Sequence, residues 1–321
     1  MSEFRPEIIE RIKLLEEKYA VMGQDLVSYL DGLLYSDYLT YWDYINLDVL
    51  LSLQQPKTNI PDEKIFIIYH QITELYFKLI VSEMDQLAED AALSIETFLK
   101  RVERINRYFM NLTKSFEVMM DGMDPKQFLK FRMALLPASG FQSAQYRSIE
   151  IRATAFINLV DKEHRNKYDT NSSISDMFEF IYWKAGATEL ATGKKTLTLR
   201  QFEEKYTGEL IKLANQWKHC NLWTLYKKLD ATDQGNLSLI NALKFFDVNV
   251  NINWPLVHYK TAARYLERKP EDIAATGGTN WQKYLPPRFQ KRIFYPELWT
   301  ADEIAQWGKG WVEAEIFGFR A

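Results

Sequence analysis

The chain has a single cysteine, Cys220, in 321 residues. One thiol cannot close an internal disulfide, so a cross-linked secreted scaffold is excluded and a reducing, cytoplasmic location is the expectation. Cys220 stands beside His219, but adjacent residues on a helix point about 100° apart. The pair therefore makes no nucleophile and base, and the thiol reads as inert. Glycine (13) and proline (10) are both scarce, which favours long helices over a turn-rich β fold. No run of 18 apolar residues occurs, which argues against a membrane-spanning helix. The opening MSEFRPEIIERIKLLEEKY has no apolar core and does not read as a signal peptide. Neither sign of charge is in excess: 40 basic against 43 acidic residues, a net charge of −3. Neither nucleic acid nor a membrane surface is expected as a partner. Also missing are a phosphate-binding glycine loop, HExxH, CxxC and GxSxG.

What is present is apolar and aromatic: 47% hydrophobic residues, 14% aromatic, nine tryptophans. Such a chain can build a sizeable core and line flat apolar pockets. Apolar positions from Ile8 to Leu33 recur at helical spacing and predict one long amphipathic helix over 7–34. TYWDYINLDVLLSLQQP reads as an aromatic turn running into a short helix closed by Pro56. Asp62 is a candidate N-cap for the next helix, and another runs from about Ser94 to Met120. Asp124, Pro125 and Pro137 punctuate MDPKQFLKFRMALLP as a capped helix. Further helices are predicted after the SGFQS turn, over about 199–220 and over 236–246. DVNVNINW alternates like a strand but leads directly into a helical stretch, and its state is left open. The reading is one all-α domain over 1–321, with 160–200 as a loop-rich section.

Only four histidines occur, so their settings are informative. His70 lies in FIIYHQITELYFKL on the apolar face of its helix, one turn after Phe66 and one before Glu74. It is either a satisfied core residue or an imidazole facing an aromatic, hydrogen-bonding ligand. His258, in WPLVHYKTAARYL, is the second buried candidate, with Trp254 one turn earlier. Two buried histidines on separate helices meet the requirement of a helical haem pocket, one holding the iron and one facing its distal side. His164 and His219 sit in polar settings and read as solvated. In QFLKFR, Phe128 and Arg132 share a helix face. Arg132 is either a surface ion-pair partner or a bidentate clamp for a substrate carboxylate, with Phe128 walling the same pocket. The glycine pair of ATGGTNW marks either a plain turn or a loop whose backbone can approach a ligand.

Taken together, YWDYINLDVLLSLQQP, FIIYHQITELYFKL, FLKFRMALLPASGFQSAQYRSIE, WPLVHYKTAARYL and ATGGTNWQKYL resemble the tryptophan 2,3-dioxygenase family of haem enzymes, in the family's order. The resemblance implies an all-α fold, haem b as cofactor, a homotetramer, and oxidation of L-tryptophan by O2 to N-formyl-L-kynurenine, the entry to the kynurenine pathway. It implies His258 as the axial haem ligand and His70 as the distal histidine bonded to the indole N–H, with Phe66 and Phe128 beside the ring. Arg132 would hold the substrate carboxylate and Thr276 its ammonium group. Ser139 and Gly140 would border the cofactor. Tyr41, Tyr44 and Ile45, in the aromatic turn, would complete a neighbouring subunit's pocket, whereas the residues alone equally suit a local plug. The chain departs from the family at Phe128, where some members carry Tyr, and at Tyr76 in place of Trp. It departs again at Pro255, where Arg is usual, and in ATGGTNW, where GTGGSSG is usual. Rival readings are a haem monooxygenase acting on tryptophan or a substituted indole, a haem- or indole-binding sensor without turnover, and a cofactor-free interaction protein.

Overall fold

The computed structural model describes residues 4–135, 137–169, 171–188, 194–266 and 291–308, and within them the fold is all-α. The chain divides into two compact units, Met1–Gln55 and Pro56–Ala321.

The first unit holds α1 (Pro6–Val21), α2 (Leu26–Leu34), α3 (Tyr41–Tyr44) and α4 (Leu47–Ser52). The single long helix expected over 7–34 is broken in two. Gly23 takes a left-handed φ of +66°, a conformation that ends a helix and that glycine adopts without strain. Asp25 then starts α2, its carboxylate accepting from the backbone N–H of Val27 and Ser28 at 3.3 and 3.1 Å. Apolar spacing carries through this break, so periodicity alone could not locate it.

The second unit is organised on α5 (Asp62–Glu89), which packs against α6 (Ile95–Ser115), α7 (Glu117–Met120), α8 (Pro125–Phe131) and α9 (Ala144–Ala153). Ile80, Met84 and Leu87 of α5 are fully buried, as are Phe98, Val102, Ile105, Phe109 and Leu112 of α6. Each such side chain contributes about 1.5–3 kcal/mol of transfer free energy. The short α10 (Ile174–Glu179) and α11 (Tyr182–Gly186) fall in the 160–200 section, followed by α12 (Leu197–Trp217), which packs on α9. Next come α13 (Leu222–Lys228), α14 (Ala231–Gln234) and α15 (Leu237–Val248), the last covering α6.

Two further expectations change. Asp62 does not cap α5. Pro61 occupies that position, and the Asp62 carboxylate accepts from Asp124 N at 2.6 Å, across to α8. The buried Glu63 instead receives the backbone N–H groups of Lys57 and Thr58, both at 2.7 Å. And although no unbroken apolar run exists, α5 is long and apolar enough by composition to cross a membrane. Its buried Glu83 pairs with Arg101 at 2.6 Å and Arg104 at 2.7 Å on α6.

DVNVNINW forms no strand. Asn249–Asn253 is a π-helical turn that joins α15 directly to α16 (Trp254–Leu266).

Candidate active site

His70 and His258 are brought into one neighbourhood from α5 and α16. On the His70 side, Phe66 lies against the imidazole with ring centroids 4.1 Å apart. Phe128 and Phe131 stand 6.4 and 5.9 Å from Phe66. This wall is assembled because α5 and α8 are pinned at their starts, through the Asp62–Asp124 bond and a 3.3 Å bond from Asp62 N to the side chain of Gln127. On the other side, His258 contacts Trp254 at 4.4 Å and Phe116 at 4.5 Å. Phe116 meets Tyr69 edge-on at 5.5 Å, and Tyr69 meets His70 at 6.5 Å. An unbroken series of ring contacts therefore links the two histidines.

Hydrogen bonding fixes both tautomers. Nδ1 of His258 lies 2.9 Å from the carbonyl of Trp254, and Nδ1 of His70 lies 2.7 Å from the carbonyl of Phe66. A carbonyl can only accept, so Nδ1 carries the proton in each ring and Nε2 keeps its lone pair. Burial disfavours the charged form: it pushes the His258 pKa down to about 4 and lowers that of His70 as well. Both rings are thus neutral at pH 7, each with a basic nitrogen available to a metal or an N–H donor.

Arg132 is buried rather than on the surface: 7% of it is exposed. It opens a 3₁₀ turn (Arg132–Leu135) directly after Phe131, its N–H bonded to the carbonyl of Phe128. That places Arg132 at the end of the same short helix that supplies Phe128.

Ser139 and Gly140 form the turn before α9, where Ser139 and Gln142 cap each other reciprocally. A Cβ added at Gly140 would meet nothing within 4 Å, so no close cradle surrounds it. Tyr41, Tyr44 and Ile45 belong to the first unit, in α3 and its C-cap, with Tyr41 70% and Tyr44 75% exposed. Thr276 falls outside the described residues. Conversely, Tyr69, Phe116 and Phe131 join the ring contacts around the two histidines and were not singled out by sequence. Tyr69 is the immediate neighbour of His70, a usable hint; Phe116 lies 142 residues from His258 and carries no local signal.

Among the described residues no three His, Cys, Asp or Glu side chains gather as a metal cage. A bare ion would find one imidazole and rings. A metal that arrives with its own planar ligand set needs only that one imidazole and an apolar, aromatic surround, which fits the residues present.

These features define a helical protein with two neutral imidazoles in an aromatic setting. The family model described as Tryptophan 2,3-dioxygenase matches residues 32–201. The chain belongs to that family of oxidoreductases. It is 29% identical to the tryptophan 2,3-dioxygenase of Ruegeria sp. (strain TM1040), over 83% of this chain and 92% of the relative. It is 30% identical to that of Geobacillus thermodenitrificans (strain NG80-2) and 27% to that of Bacillus thuringiensis subsp. konkukian (strain 97-27), with the same coverage. The family supports a tryptophan dioxygenase, and the all-α expectation is met.

Proposed function

We propose that the protein binds haem b through His258 and uses O2 to open the indole ring of L-tryptophan, giving N-formyl-L-kynurenine. The observation that carries this reading is the pair of neutral histidines, tautomerically fixed with Nε2 free, joined by continuous aromatic contacts. When bound, the haem supplies a ferrous iron that activates dioxygen.

The chain's own residues supply orientation, which converts an encounter into a near-unimolecular reaction. Nε2 of His70 accepts the indole N–H. Leaving that acceptor unpaired in a dry pocket costs about 1–3 kcal/mol, which selects indole over rings lacking an N–H. Phe66 and Phe128 hold the ring plane and exclude water. Arg132 takes the substrate carboxylate in a charge-assisted bond, and Thr276 takes the ammonium group. Ser139 and Gly140 border the cofactor. The working enzyme on this reading is a cytoplasmic homotetramer in which Tyr41, Tyr44 and Ile45 of one chain close the pocket of another.

The test is anaerobic reduction of the haem-loaded protein, addition of L-tryptophan and then isotopically labelled O2, with mass analysis of the product. Two labelled oxygen atoms per product are expected. One atom would make the protein a monooxygenase, and a Soret change without product would make it a sensor.

A further inference from the structure

The helix bearing His258 is not regular upstream of it. The step from Phe246 to His258 is twelve residues, which in an unbroken α-helix rotates the side chain by about 120°. Phe246 is fully buried and faces α6, its ring 5.9 Å from Phe109. His258 also faces the end of α6, through Phe116 at 4.5 Å. Both cannot lie on one face of a regular α-helix. The π-turn Asn249–Asn253 resolves the conflict: the N–H of Trp254 reaches back to the carbonyl of Asn249. The one extra residue of such a turn takes back about 100° of rotation. His258 thereby returns to the core face.

The sequence around the turn accounts for its formation. Pro255 has no N–H to close an α-turn onto the carbonyl of Asn251, and its ring crowds that carbonyl. The polar residues that mimic a strand's alternation are poor helix formers, costly to bury without partners. Here they find partners on α15, on α6 and in Arg292. Asn251 Nδ2 donates to Asp247 Oδ1 at 2.6 Å, and Arg292 Nε donates to Asn251 Oδ1. Asn249 Nδ2 donates to Asn106 Oδ1 of α6 at 3.1 Å. The carbonyl of Val250 accepts from the hydroxyl of Tyr146 at 2.9 Å and from Arg292 Nη2 at 3.4 Å. Asn251 is the centre of this lattice and is buried.

We propose that the π-turn, locked by Asn251 between Asp247 and Arg292, is the positioning device for His258, setting the rotation of α16 so that Nε2 faces the haem site. Asn251 is a positioning residue that acts through His258, and the proposal rests on the haem reading above. Replacing Asn251 removes both locking bonds and lets the turn relax toward α-helical register, swinging the imidazole off its axis.

The test is a two-background titration with hemin, read by the Soret band and by the spectrum of the ferrous haem. In the otherwise unaltered chain, Asn251→Leu is expected to weaken hemin binding at least tenfold and to erode the histidine-ligated ferrous spectrum. The second background is His258→Gly supplied with saturating imidazole, where the ligand is no longer tied to the helix. There the same substitution is expected to change affinity less than twofold. Tyr146→Phe removes only the hydroxyl on the Val250 carbonyl and is the milder variant should Asn251→Leu fold poorly. It is expected to weaken hemin binding about threefold in the first background and not at all in the second. Equal losses in both backgrounds, or no loss in the first, would overturn the positioning role. An unaltered chain that takes up no hemin with a histidine-type spectrum would overturn the haem reading itself, and this proposal with it.

Discussion

The helices α1 and α6 have the same kind of sequence, apolar residues three and four apart among charges, and opposite settings. Along α6, Phe98, Val102, Ile105, Phe109 and Leu112 are all fully buried. Along α1 no residue is buried, and α2 buries Leu26 alone while Leu33 stands 74% exposed. The spacing of apolar residues determines which face of a helix seeks cover. It says nothing of what provides the cover, because that depends on chain segments far away. In the second unit, α5 and α15 meet α6 and complete a core. In the first unit the apolar faces remain open, a condition that isolated monomers rarely tolerate over large patches and that the tetramer proposed above would relieve.

The sharpest way to probe the second unit is at its chemistry. His258→Ala is expected to abolish stable haem binding while far-UV circular dichroism stays near that of the parent; a full haem complement in the variant would refute the axial assignment. A matched pair of truncations tests the contrast itself. Phe109→Ala is expected to cost about 3–5 kcal/mol through cavity formation, whereas Leu33→Ala should stay within about 0.5 kcal/mol for an exposed site. Urea titrations at low protein concentration measure both, and similar costs would erase the distinction.

The half-buried His258 adds a pH term to the second unit. Its folded pKa of about 4 lies below the ordinary value of 6.5. The unfolded chain therefore takes up the proton first as pH falls. Stability from neutral His258 is complete above pH 6.5 and drains away toward pH 4, on the order of 2–3 kcal/mol for haem-free protein. Thermal melts of the parent and His258→Phe across that window isolate the effect, since only the difference in slope reports His258. Parallel slopes would mean the ring is solvated.

Arg132→Ala should weaken L-tryptophan binding at least tenfold, as expected for a charge-assisted bond of about 1.5–3 kcal/mol, and should hardly affect indoles without a carboxylate. Equal losses would place Arg132 outside the carboxylate site. The smallest stability effect is expected for Tyr41→Ala/Tyr44→Ala, within about 0.5 kcal/mol because both rings are exposed. Its effect on turnover should nonetheless be large if these rings serve another chain. Co-expression with His258→Ala chains then decides: mixed oligomers should exceed the summed activities, and strict additivity would confine the turn to its own chain.

Much of the frame was legible because its signals are local. Asp124 caps α8 as the sequence predicts, α6 begins next to Ser94 as expected, and Phe66 shares a face with His70 because four residues make about one helical turn. What escaped has non-local or competing causes. Gly23 interrupts an apolar pattern that continues in phase beyond it. Arg132 shows its i,i+4 relation to Phe128 in sequence, but its burial follows from how α8 is pinned to α5. The alternation of Asp247, Asn249, Asn251 and Asn253 has a strand's period, yet it arises from side chains that satisfy a widened helical turn.

That widened turn has a consequence for how the gene can change length. A one-codon deletion in a surface connection, such as the one between α5 and α6, shortens a loop and leaves each helix in phase. The same deletion within 249–253 would convert the π-turn to an α-turn, and the eleven steps then left from Phe246 rotate by a net of about 20°, so the histidine keeps its facing. A survey of single-codon deletions should therefore show haem uptake surviving a deletion within 249–253 and lost on one between Trp254 and His258, which turns the imidazole by about 100°.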